Sequence, residues 1–335
     1  MKSLTRRRMM VAGVGAAIAV SLPVLAHRTG LAVHQRPGVA FGTTVALTVL
    51  HRDAALAEAA LDAGFAEIRA IETVANLQDA TSDISRLNRD GYIERADGRL
   101  LDLLQLSGQT ARLTQGAFDI TVQPYWLTWT AAQTQLRAPT EGELRATQAR
   151  VGHDYILVAG TAVRFARPDM GITLNGIARG YACDRVMDIM RQHGIEHAFL
   201  DTDAAGAAGT NMDKPWGVGI EHPRKTGKFI GEVRPLTGFV STSGDYETTF
   251  SPNFRDNHIF VPATGRSPTE LCSATIIAPS GALADSLSPA AMVMGAERTL
   301  SLVSAMPATH AILVRKSGEV LTTPAAPFVP TSSNL

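Results

Sequence analysis

Residues 156–165 read ILVAGTAVRF, two short strand-forming runs on either side of Gly160-Thr161. Such runs, broken by a two-residue step that contains glycine, signal an antiparallel hairpin and not the strand–helix–strand unit of a parallel sheet. Upstream, Leu61, Phe65, Ile68, Ile71 and Ala75 recur at three- and four-residue steps, which predicts one amphipathic helix over 54–77. Residues 100–113 predict a second helix. A third is expected over 177–193, closed by Gly194 as a left-handed cap. Short strands are then expected at 197–201, 216–220, 228–233, 239–242 and 274–278, a helical region over 283–304, and a last strand over 310–315. Helices and strands mix without regular alternation, so the expected fold class is α+β. The segment after Pro324, with Pro327, Pro330 and two serines, reads as a loose tail over 324–335.

The chain has 335 residues, 45% of them apolar and only 19% charged, enough for a well-buried core. Its 31 basic and 31 acidic residues balance, so no global field draws it to nucleic acid or to a membrane surface. A small-molecule or protein partner is expected instead. At the N-terminus, Thr5-Arg6-Arg7-Arg8-Met9-Met10 precedes an uncharged stretch over 11–26, too short and too rich in Gly and Ala for a transmembrane helix. Residues 1–26 resemble a twin-arginine export signal, which implies a periplasmic protein, held at the inner membrane only if the segment is retained. Cys183 and Cys272 have no metal-like spacing and read as small buried hydrophobes.

Several stretches carry polar groups suited to a ligand. Asn175-Gly-Ile-Ala-Arg-Gly180 opens the third helix, where free N–H groups with Arg179 close by would suit a phosphate; a purely structural role serves equally. Gly116-Ala-Phe-Asp119 offers an aromatic ring beside a carboxylate, for stacking or for filling a turn. Ser241-Thr-Ser-Gly-Asp-Tyr246 gathers hydroxyls and an acid at a strand end. His258 and the Pro262-Ala-Thr-Gly265 turn follow. Neither a Walker loop, nor a dinucleotide glycine pattern, nor a Gly-x-Ser-x-Gly elbow is present.

Taken in order, Ser85-Arg-Leu-Asn88, Gly116-Ala-Phe-Asp119 with Thr121-Val122, Gly176-Ile-Ala-Arg-Gly-Tyr181 with Asp184, Pro215-Trp-Gly-Val-Gly-Ile220, Ser241-Thr-Ser-Gly-Asp-Tyr246, His258-Ile-Phe, Pro262-Ala-Thr-Gly265 and Ala284-Asp285 resemble the ApbE family of FAD:protein FMN transferases. Thr173-Leu-Asn-Gly, Leu200-Asp-Thr and the His258 stretch further resemble its exported NosX-type branch, which accompanies nitrous-oxide reductase systems. The resemblance implies mixed antiparallel sheets with flanking helices in one FAD-binding domain over 40–320. It implies FAD as donor, Mg2+ as cofactor, a protein acceptor with a Thr or Ser hydroxyl, and AMP as the second product. Carried over residue by residue, it places Phe118 and Asp119 near the flavin, and Gly176, Arg179, Gly180 and Asp184 near the phosphates. By the same resemblance Ser243, Gly244 and Asp245 would line the pocket, His258 and Thr264-Gly265 would lie close to the reacting end, His258 and Asp245 would serve the chemistry, and Asp285 with the carbonyl of Ala178 would bind the metal.

Three positions depart from that pattern. Pro289 stands where the family has a metal-binding threonine, Val261 where it has an aspartate, and Asp201-Thr-Asp-Ala-Ala-Gly206 where it has a glycine pair and an acid. Loss of one preorganised charge or donor at a phosphoryl-transfer site costs about 2.7–4 kcal/mol of transition-state stabilisation. A flavin-binding accessory or carrier without transfer activity is therefore the alternative reading. Ser288-Pro289 makes a good cap and first turn, so the sequence favours a helix that starts there and leaves Asp285 in the preceding turn.

Overall fold

In a computed structural model of the chain, which describes residues 30–331, the described part opens with a hairpin that sequence reading did not anticipate. Strands β1 (Ala32–Ala40) and β2 (Thr43–His51) pair antiparallel with Ala40 opposite Thr43. Phe41 and Gly42 between them have φ of 52° and 72°. Two positive φ values are what a two-residue turn needs to match strand twist, and Asn or Asp normally occupies the first. Phenylalanine hides the signal; its N–H is held by Glu72 Oε1 at 2.8 Å. The export signal read at 1–26 lies outside the described residues.

Helix α1 (Ala54–Ala75) follows, capped by Asp53, whose carboxylate accepts from Ala55 N and Leu56 N at 2.9 and 3.2 Å. Helix α2 (Asp83–Asp90), strand β3 (Tyr92–Ile93) and helix α3 (Gly98–Leu113) come next, then α4 (Gln123–Thr134) and α5 (Glu141–Gln148). The expected hairpin forms as β4 (Ile156–Ala159) and β5 (Ala162–Phe165), and β3 joins it in a small sheet. Helix α6 (Ala178–Gln192) ends before Gly194, which has φ 73°. Strands β6 (His197–Asp201), β7 (Ala204–Ala208), β8 (Val218–Glu221), β9 (Phe229–Val233), β10 (Gly238–Gly244) and β11 (Leu271–Ala278) lead to helices α7 (Gly281–Met294) and α8 (Ala296–Ser304). The chain closes with β12 (His310–Arg315), β13 (Val320–Thr322) and β14 (Phe328–Pro330).

Eight strands make one antiparallel sheet in the order β1-β2-β6-β7-β10-β11-β12-β13. Side chains alternate across it with the period of two that a strand imposes. Ala274, Ile276, Ala278, Ala311 and Leu313 face α1, α6, α7 and α8, whereas Ile277, Ile312 and Val314 face a three-stranded sheet of β14, β9 and β8. Every residue of β11 is buried, which suits a strand covered on both faces whose hydroxyl side chains are only Ser273 and Thr275. This α+β arrangement agrees with the expected class. The tail is less loose than the sequence suggested: Phe328 pairs with Val233, and Pro330 with Gly231.

One expectation fails at α7. The helix starts at Gly281 with Ser280 as N-cap, not at Ser288, and Pro289 sits inside it. A proline at an interior position removes one helix bond and crowds the preceding turn, at a cost of about 3 kcal/mol. Here Ser288 Oγ donates to the Asp285 carbonyl at 3.1 Å, the acceptor that Pro289 has no N–H to serve. Burial of Ala284, Leu287, Ala291 and Met292 against the large sheet holds the rest of the helix in place.

Candidate active site

Helices α6 and α7 cross where each carries a glycine followed four residues later by an aspartate. Gly180 N donates to Asp285 Oδ2 at 2.9 Å, and Gly281 N donates to Asp184 Oδ1 at 2.6 Å. Each aspartate thus holds the opening turn of the other helix. Asp184 Oδ2 also accepts from Ala282 N and Ser280 Oγ, both at 2.9 Å, so this carboxylate caps α7 where the helix dipole favours negative charge. The resemblance puts Asp184 near the phosphates; the structure commits its oxygens to the α7 N-terminus, and it positions Asp285 through that helix. Asp184→Ala is expected to destabilise the protein by about 3 kcal/mol, since bonds to charged groups are the stronger ones. In a thermal melt this is a fall of about 5 °C.

The second wall of the site comes from β10. Residues two apart on a strand share a face, and residues three apart on a helix share a face. Accordingly Ser241 Oγ donates to Asp285 Oδ1 at 3.0 Å, and Ser243 Oγ meets Ser288 Oγ at 2.7 Å, while Thr242 points to the opposite face and bonds Thr275. Asp285 is only 6% exposed. Burial pushes its carboxyl above the ordinary range, and the Gly180 N–H, the Arg179 charge and the Ser241 hydroxyl pull it back part of the way. Arg179 is half-buried; its Nη2 lies 3.9 Å from Asp203 Oδ2, and its Nε is buried without a hydrogen-bond partner. Gly176 stands beside the Phe118 ring and the Pro289 ring, 3.5 and 3.4 Å from where a β-carbon would be. Gly176, Ala178, Arg179, Gly180, Ser243 and Asp285 therefore gather along one seam, with Phe118 at its edge.

Other expected site residues are engaged elsewhere. Phe118, at the edge of the seam, is buried. Asp119 Oδ1 accepts from the Thr121 N–H and hydroxyl at 2.8 and 2.6 Å, and Oδ2 accepts from His153 N at 3.0 Å, so the carboxylate fixes a turn. Burial pushes that carboxyl up as well. Asp245, expected in catalysis, is fully buried and grips Arg224 through both oxygens at 2.7 and 2.8 Å, with Lys316 Nζ at 3.5 Å. With both oxygens engaged by cations, it is an anchor between loops and not a poised proton acceptor. Gly244 before it is buried against Tyr246. The His258 N–H and ring Nδ1 both lie at the Thr248 carbonyl, at 3.0 and 3.2 Å. Gly265 has φ 67° and packs on Tyr125, and its carbonyl accepts from Trp129 Nε1 at 2.8 Å; Thr264 next to it is exposed. The Pro262–Gly265 turn is thus seated on α4.

The family model described as the ApbE family matches residues 41–313. This chain belongs to the ApbE family. The FAD:protein FMN transferase of Vibrio cholerae is 30% identical over 234 residues, 67% of this chain and 70% of that protein. The Haemophilus influenzae protein of the same name is 27% identical over 331 residues, 93% and 95% of the two chains. The crystal structure of the ApbE protein from Thermotoga maritima superposes with a TM-score of 0.77 at 28% identity, covering 88% of this chain and 97% of that one.

Within this ApbE fold, sequence reasoning missed the parts of the site that depend on pairing. Ser288 was read only as a helix cap, and Ser241 was quoted within its motif without being separated from Ser243. The spacing of two on the strand and three on the helix was the available signal. Arg224, which neutralises Asp245, lies 21 residues from it in sequence and gave no local sign. At the Val261 departure, the carbonyl accepts from Thr264 N and Gly265 N at 3.0 and 2.8 Å, so the turn keeps its backbone form without the carboxylate. Both cysteines are free and buried, as expected.

Proposed function

We propose that the protein is an FAD:protein FMN transferase, which moves FMN from FAD onto a Thr or Ser hydroxyl of a target protein. The observation that carries this reading is the Asp285 seam, joined to α6 by Gly180 and to β10 by Ser241, in a chain that belongs to the ApbE family. In the reaction the acceptor oxygen bonds to the flavin-side phosphorus. The bond from that phosphorus to the bridging oxygen breaks, AMP leaves with that oxygen and its electron pair, and the hydroxyl proton passes to water. Catalysis of such a step is mostly positioning and charge stabilisation. The start of α6 and Arg179 would hold the phosphates, the Phe118 and Gly176 edge would receive the flavin side, and Ser243 with Ser288 would line the path of the hydroxyl.

Magnesium comes from the resemblance alone, and the donor set does not fit it. Among the described residues no group of three or more His, Cys, Asp or Glu side chains stands where it could hold a metal. Both Asp285 oxygens already accept bonds from the chain, and Pro289 brings hydrocarbon where an oxygen ligand is expected. No step is therefore routed through a metal. Export through the twin-arginine pathway to the periplasm, and service to a nitrous-oxide reductase system, are part of the proposal and rest on residues 1–26 and the NosX-type motifs.

The full chain, incubated with FAD and a threonine-containing acceptor domain, should add the mass of an FMN phosphoester to the acceptor and release AMP. Bound FAD without a mass increment favours the second reading, a flavin carrier, which Val261 and Pro289 support. Absence of FAD binding overturns both.

A further inference from the structure

The charge of a dinucleotide pyrophosphate has to be met by something, and the seam around Asp285 offers a single carboxylate, both of whose oxygens already accept bonds from the chain, with proline where a further oxygen ligand is expected. It does contain a guanidinium. Arg179 lies in the first turn of α6, a helix of 15 residues whose N-terminus adds partial positive charge. Its nearest carboxylate, Asp203, is at 3.9 Å, outside hydrogen-bond range, and its Nε is buried with no acceptor. A buried N–H without a partner is costly, and a phosphate oxygen is an acceptor that would satisfy it. The planar fork of arginine matches two phosphate oxygens at once and stays charged at every physiological pH. Asp285, whose oxygens are held by Gly180 and Ser241, orders the turn that carries Arg179.

We propose that in this chain the Arg179 guanidinium, and not a divalent cation, neutralises the pyrophosphate of FAD. This rests on the transferase or flavin-binding reading and goes beyond it, because it makes FAD recognition independent of metal. Asp285 becomes a positioning residue that sets the α6 turn. Pro289 follows from the same change: with no cation to ligate, that position is released to pack beside Gly176 and Phe118.

The test is FAD and riboflavin binding to the full chain, followed by flavin fluorescence, in EDTA and with added magnesium chloride. FAD is expected to bind with the same affinity, within about twofold, in both buffers. Arg179→Met should weaken FAD by roughly a hundredfold and leave riboflavin, which has no phosphate, unchanged. Arg179→Lys keeps the charge without the fork and should fall between, at about tenfold. Asp285→Asn, whose amide can preserve both hydrogen bonds, should bind FAD equally in EDTA and in magnesium chloride, as the wild type does. Riboflavin binding and a circular dichroism melt show whether each variant folds. An FAD affinity that rises tenfold or more with magnesium, and loses that rise in Asp285→Asn, overturns the proposal while leaving the transferase reading intact. Failure of the wild-type chain to bind FAD in either buffer overturns both.

Discussion

Gly180→Ala should yield no soluble folded protein, or one destabilised by more than about 4 kcal/mol. A β-carbon at this position would lie 2.5 Å from Asp285 Cβ and closer still to the carbonyl carbon and oxygen of Gly281. The obstruction is backbone, which has no rotamer to change, so the helices themselves must separate. Overpacking of a well-packed core usually costs about 1–3 kcal/mol, and more where the neighbours cannot yield. Separation would also lengthen both reciprocal bonds, Gly180 to Asp285 and Gly281 to Asp184. Chemical denaturation of whatever soluble material forms is the measurement. A midpoint and slope equal to those of the wild type would show that the helix crossing can yield to a methyl group.

The second large effect is at Asp285, where the choice of replacement decides the outcome. Asp285→Ala leaves the Gly180 N–H and the Ser241 hydroxyl without acceptors in a buried seam, and it leaves a cavity between α6, α7 and β10. Each orphaned buried donor costs about 1–3 kcal/mol, so a total loss of about 3–5 kcal/mol is expected. Asp285→Asn is different. Its oxygen can accept from Gly180 while its amide donates to the Ser241 hydroxyl, which can turn to accept. A buried charge is removed with no bond lost, and stability should stay within about 1 kcal/mol of the wild type. Equal losses for Ala and Asn in urea denaturation would mean that the charge, and not the hydrogen-bond geometry, supports the fold here.

Much of this architecture was legible along the chain. The 3.6-residue spacing of Leu61, Phe65, Ile68 and Ile71 gives α1, and Gly194 marks the end of α6. The Gly160-Thr161 step gives β4 and β5 their turn, and the short apolar runs give β6, β9, β10, β11 and β12. These are local effects: period, cap and turn chemistry act within a few residues, so a few residues reveal them. Of the candidate site, Gly180, Arg179, Ser243 and Asp285 were named from motifs, and they do come together.

What the sequence determined by itself is therefore the kind of element at most positions and the class of fold. Tertiary structure alone decided which polar groups meet. Asp184 and Asp245 look as available as Asp285 in sequence, but one caps α7 and the other is gripped by Arg224. Local rules also put the start of α7 at Ser288-Pro289, and the fold overrode them: burial against the sheet favours the longer helix, and Ser288 supplies the bond that Pro289 cannot. A hydrogen-bond partner far away in sequence leaves no periodic trace, and burial energy shared across a sheet can outweigh one proline. The site was visible as residues before it was visible as an arrangement, because only packing brings the Gly180 N–H and the Ser241 hydroxyl to 2.9 and 3.0 Å from the Asp285 carboxylate.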